Sequence, residues 1–295
     1  MQHASNPEQG EQESESIFQV GKPSIFISWS LLNIQSLGRK STLLTIGPAK
    51  RQFLIHEDLL CNRSPYFRSF LQTTRKGIDG DCSVCLEDLN TGRECLSHCT
   101  KCGGNFHSEC IDEWLKQRTS KPRCPLCRHT WVSLKRKASE YVFRDLPEDV
   151  FAKYHEWIYR GTMGCAEVVE KEDFKPLVSA YLFALKIQDL KFGTAVLQAM
   201  LELYKEFELY PDQDAVAMAY NTDETPEKLA GLHKLQTFMI DTYLTAADPS
   251  WFEDEDWDGY PREFLRDLIV AMLLQHPRKN KWSLDTWKAK LEADE

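Results

Sequence analysis

The sequence predicts an α+β protein with a compact cysteine-rich module in the middle of the chain and a helical C-terminal half. Short strand-like segments lie on both sides of the module, and apolar residues then recur at helical spacing. Eight of the ten cysteines fall between Cys82 and Cys127. A chain of 295 residues with 42% apolar content is long enough to bury a sizeable core.

The bulk composition argues against two classes of partner. A net charge of −9 gives the surface as a whole no reason to bind nucleic acid. No apolar run approaches the roughly 20 residues of a membrane-spanning helix. No secretory signal is recognisable, so we expect a reducing compartment, the cytoplasm and/or the nucleus, where disulfides are rare. The clustered cysteines therefore indicate metal binding rather than a disulfide framework.

The chain before the module predicts a strand pair and two short helices. Residues 1–16 are rich in Glu, Gln and Ser and are expected to be disordered, and no fold is assigned to residues 1–40. The elements that follow are strands at 41–47 and 51–56 joined by a turn at Gly47-Pro48, a helix around Glu57–Cys61, and a helix that begins at Pro65. Residues 72–81 are predicted to be a polar linker into the module.

The chain after the module is predominantly helical. A strand at 141–146 precedes an amphipathic helix at 147–161, which Gly161 ends. Its predicted core residues are Val150, Phe151, Tyr154, Trp157 and Ile158. Residues 174–207 predict a pair of helices with a break near 188–190, and the chain from Tyr210 is again helical.

The module contains four pairs of metal-ligating residues, each separated by two residues. The ligands are Cys82, Cys85, Cys99, Cys102, His107, Cys110, Cys124 and Cys127. Two residues between ligands let both side chains converge on one tetrahedral ion, and eight ligands make two closed four-ligand sites. Closed sites of this kind hold structural Zn2+ and have no open position for a substrate. The sequence therefore predicts two structural zinc ions.

Two questions about the zinc sites stay open in the sequence: which pairs share an ion, and whether Cys99 or the adjacent His98 is a ligand. In cross-braced modules the first and third pairs hold one zinc ion and the second and fourth pairs hold the other. His98 could take the place of Cys99 opposite Cys102. Cys95 is expected to be a spare thiol, and Cys61 and Cys165 are expected to be buried small apolar residues.

The residues between the ligands resemble those of RING-type ubiquitin ligases, in particular CSVCLEDL, FHSECIDEWL and CPLCR. The resemblance implies a shallow groove for a ubiquitin-charged conjugating enzyme (E2). The implied E2 and ubiquitin contacts are Val84, Leu86, Trp114, Pro125 and Arg128, with Arg128 as the cation that bonds both enzyme and ubiquitin. The second ligand pair departs from the typical RING, which has Cys-x-His there and two residues before the third pair rather than four.

Other hypotheses for the function of the module remain. The ligand order is also that of PHD fingers, which read histone tails, although Pro122 stands where a PHD finger has Trp. The alternative hypothesis is a non-enzymatic interaction or scaffold protein that uses the module to bind a protein partner, with chromatin as one candidate. Trp114 would then simply cover the zinc core, and Arg128 would be a solvated charge. Sequence-specific DNA binding is disfavoured because no helix of the module shows a base-reading face.

The segments on either side of the module resemble the two halves of a BTB/POZ domain of fungal type, in LLTIGPAKRQFLIHEDLLCNRSPYFRSFL and YVFRDLPEDVFAKYHEWIYRG. The implied organisation is a host domain at 41–75 and 138–205, an inserted RING-type finger at 76–137 and a helical C-terminal extension at 206–295. An insertion with its own metal-held fold is tolerated at an exposed loop. The resemblance implies a homodimer, whereas the cullin-contact motif of the family has no equivalent in LQTTRKG.

Together these expectations describe a RING-type E3 ubiquitin ligase. It would recruit a charged E2 through the zinc module, and it would dimerise or bind a protein substrate through the host domain. It would form no covalent intermediate of its own, because closed zinc sites offer only positioning.

Overall fold

The computed structural model describes residues 40–89, 96–117, 121–131, 140–164, 166–171, 173–222, 231–248 and 259–275. The predicted disordered tail and both Cys95 and Cys165 lie outside these ranges. Within the described residues, no helix combines the length and the apolar character needed to cross a membrane.

The described strands and helices follow one another in the order that the sequence predicts, with additional short elements. The strands are β1 (Ser41–Ile46), β2 (Arg51–His56), β3 (Leu96–His98), β4 (Asn105–His107) and β5 (Glu140–Phe143). The helices are α1 (Glu57–Arg63), α2 (Pro65–Leu71), α3 (Ser108–Lys116), α4 (Glu148–Arg160), α5 (Ala166–Lys171), α6 (Lys175–Lys186), α7 (Leu190–Phe207), α8 (Gln213–Tyr220), α9 (Leu232–Ala246) and α10 (Arg262–Gln275). Neither α5 nor the β3–β4 hairpin was predicted from the sequence.

A three-stranded sheet joins the chain before the module to the chain after it. The strand order is β2-β1-β5, with β1 antiparallel to β2 and parallel to β5. Gly47 has a φ of 71° in the β1–β2 turn, and its N–H donates to the carbonyl of Phe143 at 2.8 Å. Because β5 follows the cysteine-rich module, the chain leaves this sheet, forms the module and returns to the central strand.

Three capping residues define helix ends, of which only Gly161 was predicted from the sequence. Ser64 caps α2, whose first residue is Pro65, by accepting from the N–H of Phe67. Asp189 accepts from two N–H groups in the first turn of α7, which places the predicted break between α6 and α7. Gly161 ends α4 with a φ of 69°, a left-handed conformation that glycine adopts without steric cost.

One apolar core connects the sheet to all the helices outside the module. The five predicted core residues of α4 are buried in it. Val216 of α8, Leu235 of α9 and Phe264 of α10 belong to the same core. The helices after residue 205 therefore pack into the host domain rather than forming a core of their own. A second, smaller core lies inside the cysteine-rich module around Phe106 and Ile111.

Candidate metal centre

Three of the four ligand pairs each lie in a backbone turn of the same type. In each turn, the N–H of the residue after the second cysteine donates to the carbonyl of the first cysteine: Leu86 to Cys82 at 2.7 Å, Gly103 to Cys99 at 2.8 Å, and Arg128 to Cys124 at 3.0 Å. All three donor residues have positive φ, between 57° and 72°. This turn points both thiols of a pair to one side, as a shared metal ion requires.

The fourth pair uses a helix instead of a turn. His107 is the N-cap of α3, and Cys110 lies in its first turn. Residues three apart on a helix lie on the same face, so both side chains project together. Ile111 of the same helix is buried in the core of the module and fixes the helix there.

The structure gathers the eight predicted ligands into two clusters. One contains Cys82, Cys85, His107 and Cys110, and the other contains Cys99, Cys102, Cys124 and Cys127. Within each cluster all the ligand atoms lie within 4.8 Å of one another. The first and third pairs thus share one site and the second and fourth pairs share the other, which is the predicted cross-braced arrangement.

The distances between ligand atoms fit tetrahedral zinc. The Cys99 and Cys127 Sγ atoms are 3.7 Å apart, and those of Cys102 and Cys124 are 3.8 Å apart. Sulfur atoms at about 2.3 Å from a tetrahedral Zn2+ lie about 3.8 Å from each other. In the other cluster His107 Nδ1 lies 3.2 Å from Cys85 Sγ and 3.8 Å from Cys110 Sγ. Each cluster could therefore hold one zinc ion.

A backbone contact fixes which nitrogen of His107 faces the metal site. Nε2 lies 3.2 Å from the carbonyl oxygen of Asp88, which can only accept, so Nε2 carries the proton. Nδ1 then presents its lone pair to the three thiols of its cluster. A hydrogen bond of this kind orients a ligating histidine and strengthens it as a ligand.

The thiols of the second cluster differ in acidity. A backbone hydrogen bond from His129 lowers the pKa of Cys127 to about 7. Burial raises the pKa of Cys124 to about 12. Because zinc binds thiolates, loading this cluster must expel the proton of Cys124, and zinc affinity must fall as the pH falls.

His98, the alternative ligand, is not part of either cluster. It ends β3 opposite Asn105 and is 9% exposed. Burial and the nearby charge of Arg75 lower the pKa of His98 to about 4. It is therefore a neutral buried residue beside the second zinc site, which Cys99 completes.

The predicted linker is a packed junction rather than a free tether. Arg75 is buried, and it donates through Nη1 to Asp58 Oδ1 at 2.6 Å and through Nε to Asn105 Oδ1 at 2.8 Å. Asn105 in turn donates to the carbonyl of Gly77 at 2.9 Å. The N–H of Lys76 donates to the carbonyl of Gly103 at 3.0 Å. The module is thus held against α1 of the host domain by buried polar contacts.

Comparison with known proteins identifies the family of this module. Residues 80–128 match the Ring finger domain family. The chain resembles the RING-H2 finger protein ATL7 of Arabidopsis thaliana, with 52% identity over 50 residues, covering 17% of this chain and 20% of that protein. It also resembles the E3 ubiquitin-protein ligase EL5 of Oryza sativa subsp. japonica, with 44% identity over 52 residues, covering 18% and 15%.

A further relative covers a longer stretch. The probable E3 ubiquitin-protein ligase RHG1A of Arabidopsis thaliana is 34% identical over 84 residues, covering 28% of this chain and 11% of that protein. The chain spans between 11% and 20% of the length of these three relatives. The similarity is therefore to a RING finger with two zinc sites, and it does not extend to the whole of any relative.

The five predicted E2-contact residues lie on the surface of this RING finger. Val84 and Trp114 are half-buried and pack on its core, and Pro125 is also half-buried. Trp114 Nε1 donates to the carbonyl of Arg123 at 3.2 Å, which joins α3 to the last ligand pair. Leu86 is 76% exposed, and Arg128 is exposed as well.

Sequence reasoning missed one exposed apolar residue of this surface. Leu126 lies inside the last ligand pair, is 53% exposed and packs over Gly104 with its Cδ1 atom. The sequence did contain a signal of this exposure, namely a large apolar residue between the two cysteines of the last pair. A residue in such a tight metal-binding turn has little core to enter. The packed linker was also missed, because a lone arginine in a polar segment gives no sign of burial.

Proposed function

We propose that this protein is a RING-type E3 ubiquitin-protein ligase that binds a ubiquitin-charged E2 through its RING finger. The observation that carries the proposal is the cross-braced pair of zinc sites in a region similar to RING-H2 proteins, some of which are named E3 ubiquitin-protein ligases. Closed zinc sites leave no position for substrate, so zinc here would shape a docking surface.

The exposed residues of the RING finger suit E2 docking. Val84, Trp114 and Pro125 would form the apolar groove, with Leu86 at its rim. Arg128 follows the last ligand, its side chain is exposed and its backbone is fixed by the turn. A guanidinium at that place can bond E2 and ubiquitin together and hold the thioester ready for attack by a substrate lysine.

The host domain would supply dimerisation or substrate binding. We propose that it is a BTB/POZ-like domain, on the order of its strands and helices and on the return of the chain to the same sheet after the RING finger. A homodimer would present two RING fingers, each held to its host domain by the Arg75 contacts. Light scattering of the purified full chain would measure its mass, and a monomer at micromolar concentration would contradict this part of the proposal.

Ubiquitin transfer by purified, zinc-loaded protein tests the ligase function. Discharge of charged E2 onto free lysine is followed across a panel of E2 enzymes. We expect wild type to accelerate discharge, and Leu86→Ala and Arg128→Ala to reduce that acceleration. These two side chains are exposed, so the fold should survive. Arg51→Ala, an exposed arginine of β2, is the matched control. The proposal fails if no E2 is discharged faster with wild type than without it.

The competing interpretation is a non-enzymatic scaffold whose zinc module binds a protein partner such as a histone tail. The similarity to RING-H2 proteins favours the ligase. Binding of an unmodified histone-tail peptide, together with no measurable binding to any E2 of the panel, would favour the scaffold instead.

A further inference from the structure

A cleft of about 450 Å³ lies between the α1–α2 helices and the turn that joins α6 to α7. Three cations line it, Arg63 and Arg68 on one wall and Lys191 on the other. Pro65 and Leu190 add apolar surface, and Leu190 is 69% exposed. We call this site the basic cleft.

The positive charge of the basic cleft is only partly offset by its surroundings. Among the described residues, no carboxylate forms an ion pair with any of the three cations. Asp189 also lines the cleft, but it is 1% exposed. Its carboxylate already accepts from the Tyr154 hydroxyl at 3.0 Å and from the N–H groups of Lys191 and Phe192 at 3.1 and 3.0 Å. The cleft is therefore locally positive on a chain whose net charge is −9.

Two of the cations are held in place before any ligand arrives. The guanidinium of Arg63 lies 4.9 Å from the centre of the Trp157 ring. Arg68 donates through Nη2 to the carbonyl of Lys76 at 3.1 Å, which leaves its other N–H groups for a ligand. Preorganised side chains lose less conformational entropy on binding. The Arg68 contact also places the cleft beside the segment that leads into the RING finger.

We infer that the basic cleft binds an acidic peptide segment of another protein. Carboxylates of the segment would pair with Arg63, Arg68 and Lys191, and an apolar side chain would lie on Pro65 and Leu190. If the protein is the ligase proposed above, on which this role rests, the segment belongs to its substrate. The substrates would then be proteins with an exposed acidic stretch that includes an apolar residue.

The shape and composition of the cleft favour a peptide over other anions. None of the described residues that line it is aromatic, so it has no ring on which a nucleic-acid base could stack. A concave site also fits a short chain segment better than the flat surface of a membrane. The acidic character of the whole chain would repel a long polyanion.

Fluorescence anisotropy on the full zinc-loaded chain tests the inference. The probe is a short fluorescein-labelled peptide of Glu and Asp residues with one central Leu, and the control probe has Gln and Asn in place of the acids. We expect binding of the acidic probe only, weakening as salt rises because the charges are near the surface. Lys191→Glu should raise the Kd about tenfold, since it replaces an attraction by a repulsion.

Lys205→Glu, on the same helix and outside the cleft, is the matched control and should leave the Kd unchanged. Arg63→Met removes the guanidinium but keeps an apolar side chain of similar length, and it provides a second variant, which should also weaken binding. Three results would each overturn the inference: no binding of the acidic probe, equal weakening by Lys205→Glu, or tighter binding of a labelled oligothymidine that is lost in Lys191→Glu.

A separate readout distinguishes failure of the cleft from failure of the ligase. Discharge of charged E2 onto free lysine needs no bound substrate, so it reports on the RING finger alone. Absent discharge with intact peptide binding would reject the ligase and keep the cleft. Normal discharge without peptide binding would reject the cleft and keep the ligase.

Discussion

Arg75 Nε donates to Asn105 Oδ1 at 2.8 Å, and this bond joins the host domain to the RING finger. The same guanidinium forms an ion pair with Asp58 of α1, 2.6 Å away, where the side chains are 2% and 16% exposed. One buried arginine therefore satisfies a carboxylate of one unit and an amide of the other. This contact and the neighbouring backbone hydrogen bond from Lys76 to Gly103 hold the RING finger against the host domain, since the two units have separate apolar cores.

Arg75→Met should destabilise the protein by about 3 kcal/mol, because it leaves the partly buried Asp58 carboxylate without its cation and Asn105 without its donor. Urea unfolding of the zinc-loaded protein measures the free energy of unfolding. The matched control is Arg51→Met, which removes an exposed pair with Asp149 in which the side chains are 53% and 96% exposed. That control should change stability by less than about 1 kcal/mol. Similar effects of the two substitutions would contradict the role given to Arg75.

Gly103→Ala should weaken the same junction by about 2–4 kcal/mol, through backbone strain and overpacking together. Gly103 has a φ of 72°, and a Cβ there would collide with the backbone carbonyl of Thr74 in the segment entering the RING finger. The measurement is again urea unfolding. Gly164→Ala is the control, because Gly164 has nothing within 4 Å and no positive φ. A neutral effect of Gly103→Ala would mean that the two backbones are not in contact in solution.

Elemental analysis should give two zinc ions per chain for wild type, one for each ligand cluster. His107→Ala removes a ligand and should reduce zinc at the first site, whereas His98→Gln should keep both ions because His98 lies outside the clusters. Retention of both ions in His98→Gln would also decide between Cys99 and His98, which the sequence left as alternatives for one ligand of the second site. Loss of one zinc ion in His98→Gln would mean that His98, and not Cys99, is the ligand of the second site, and full retention of zinc in His107→Ala would contradict the assignment of His107.

Chelation of zinc should unfold the RING finger and leave the host domain folded. The core of the RING finger is small and depends on its metal ions, whereas the host domain has its own larger core. Hydrogen exchange before and after chelation should show loss of protection in α3 and retained protection in α6 and α7. Equal loss in both regions would show that the two units unfold together.

His98 makes stability depend on pH. Its pKa is lowered from 6.5 to about 4 in the folded protein, chiefly by burial, so the unfolded chain binds the proton more tightly. The contribution of His98 is therefore complete above pH 6.5 and is lost as the pH falls from 6.5 towards 4. Between pH 7 and pH 5, wild type should lose about 2 kcal/mol more stability than His98→Gln.

Urea unfolding of both proteins at the two pH values checks this expectation. The zinc content of both proteins is measured at the same two pH values, so that zinc release is separated from the protonation of His98. Parallel losses of stability in wild type and His98→Gln would mean that His98 is accessible to solvent and protonates normally.

Local patterns in the sequence were enough to predict seven of the eight metal ligands without an alternative, and most of the strands and helices. The spacing of Cys82 and Cys85 fixes a turn within a few residues, and the heptad-like recurrence from Val150 to Ile158 fixes a buried helix face. Such features depend on contacts between near neighbours, so they are readable in the chain itself. The order of strands and helices around the RING finger followed from the same local signals.

Tertiary structure alone decided the long-range contacts. The burial of Arg75, the neutrality of His98 and the packing of α8–α10 into the host core each depend on residues distant in sequence that meet only after folding. The tertiary structure also decided which residue completes the second zinc site. His98 and Cys99 are adjacent in the chain, and only the fold directs Cys99 to the metal. Sequence spacing limits which side chains can converge, whereas packing determines which of them do.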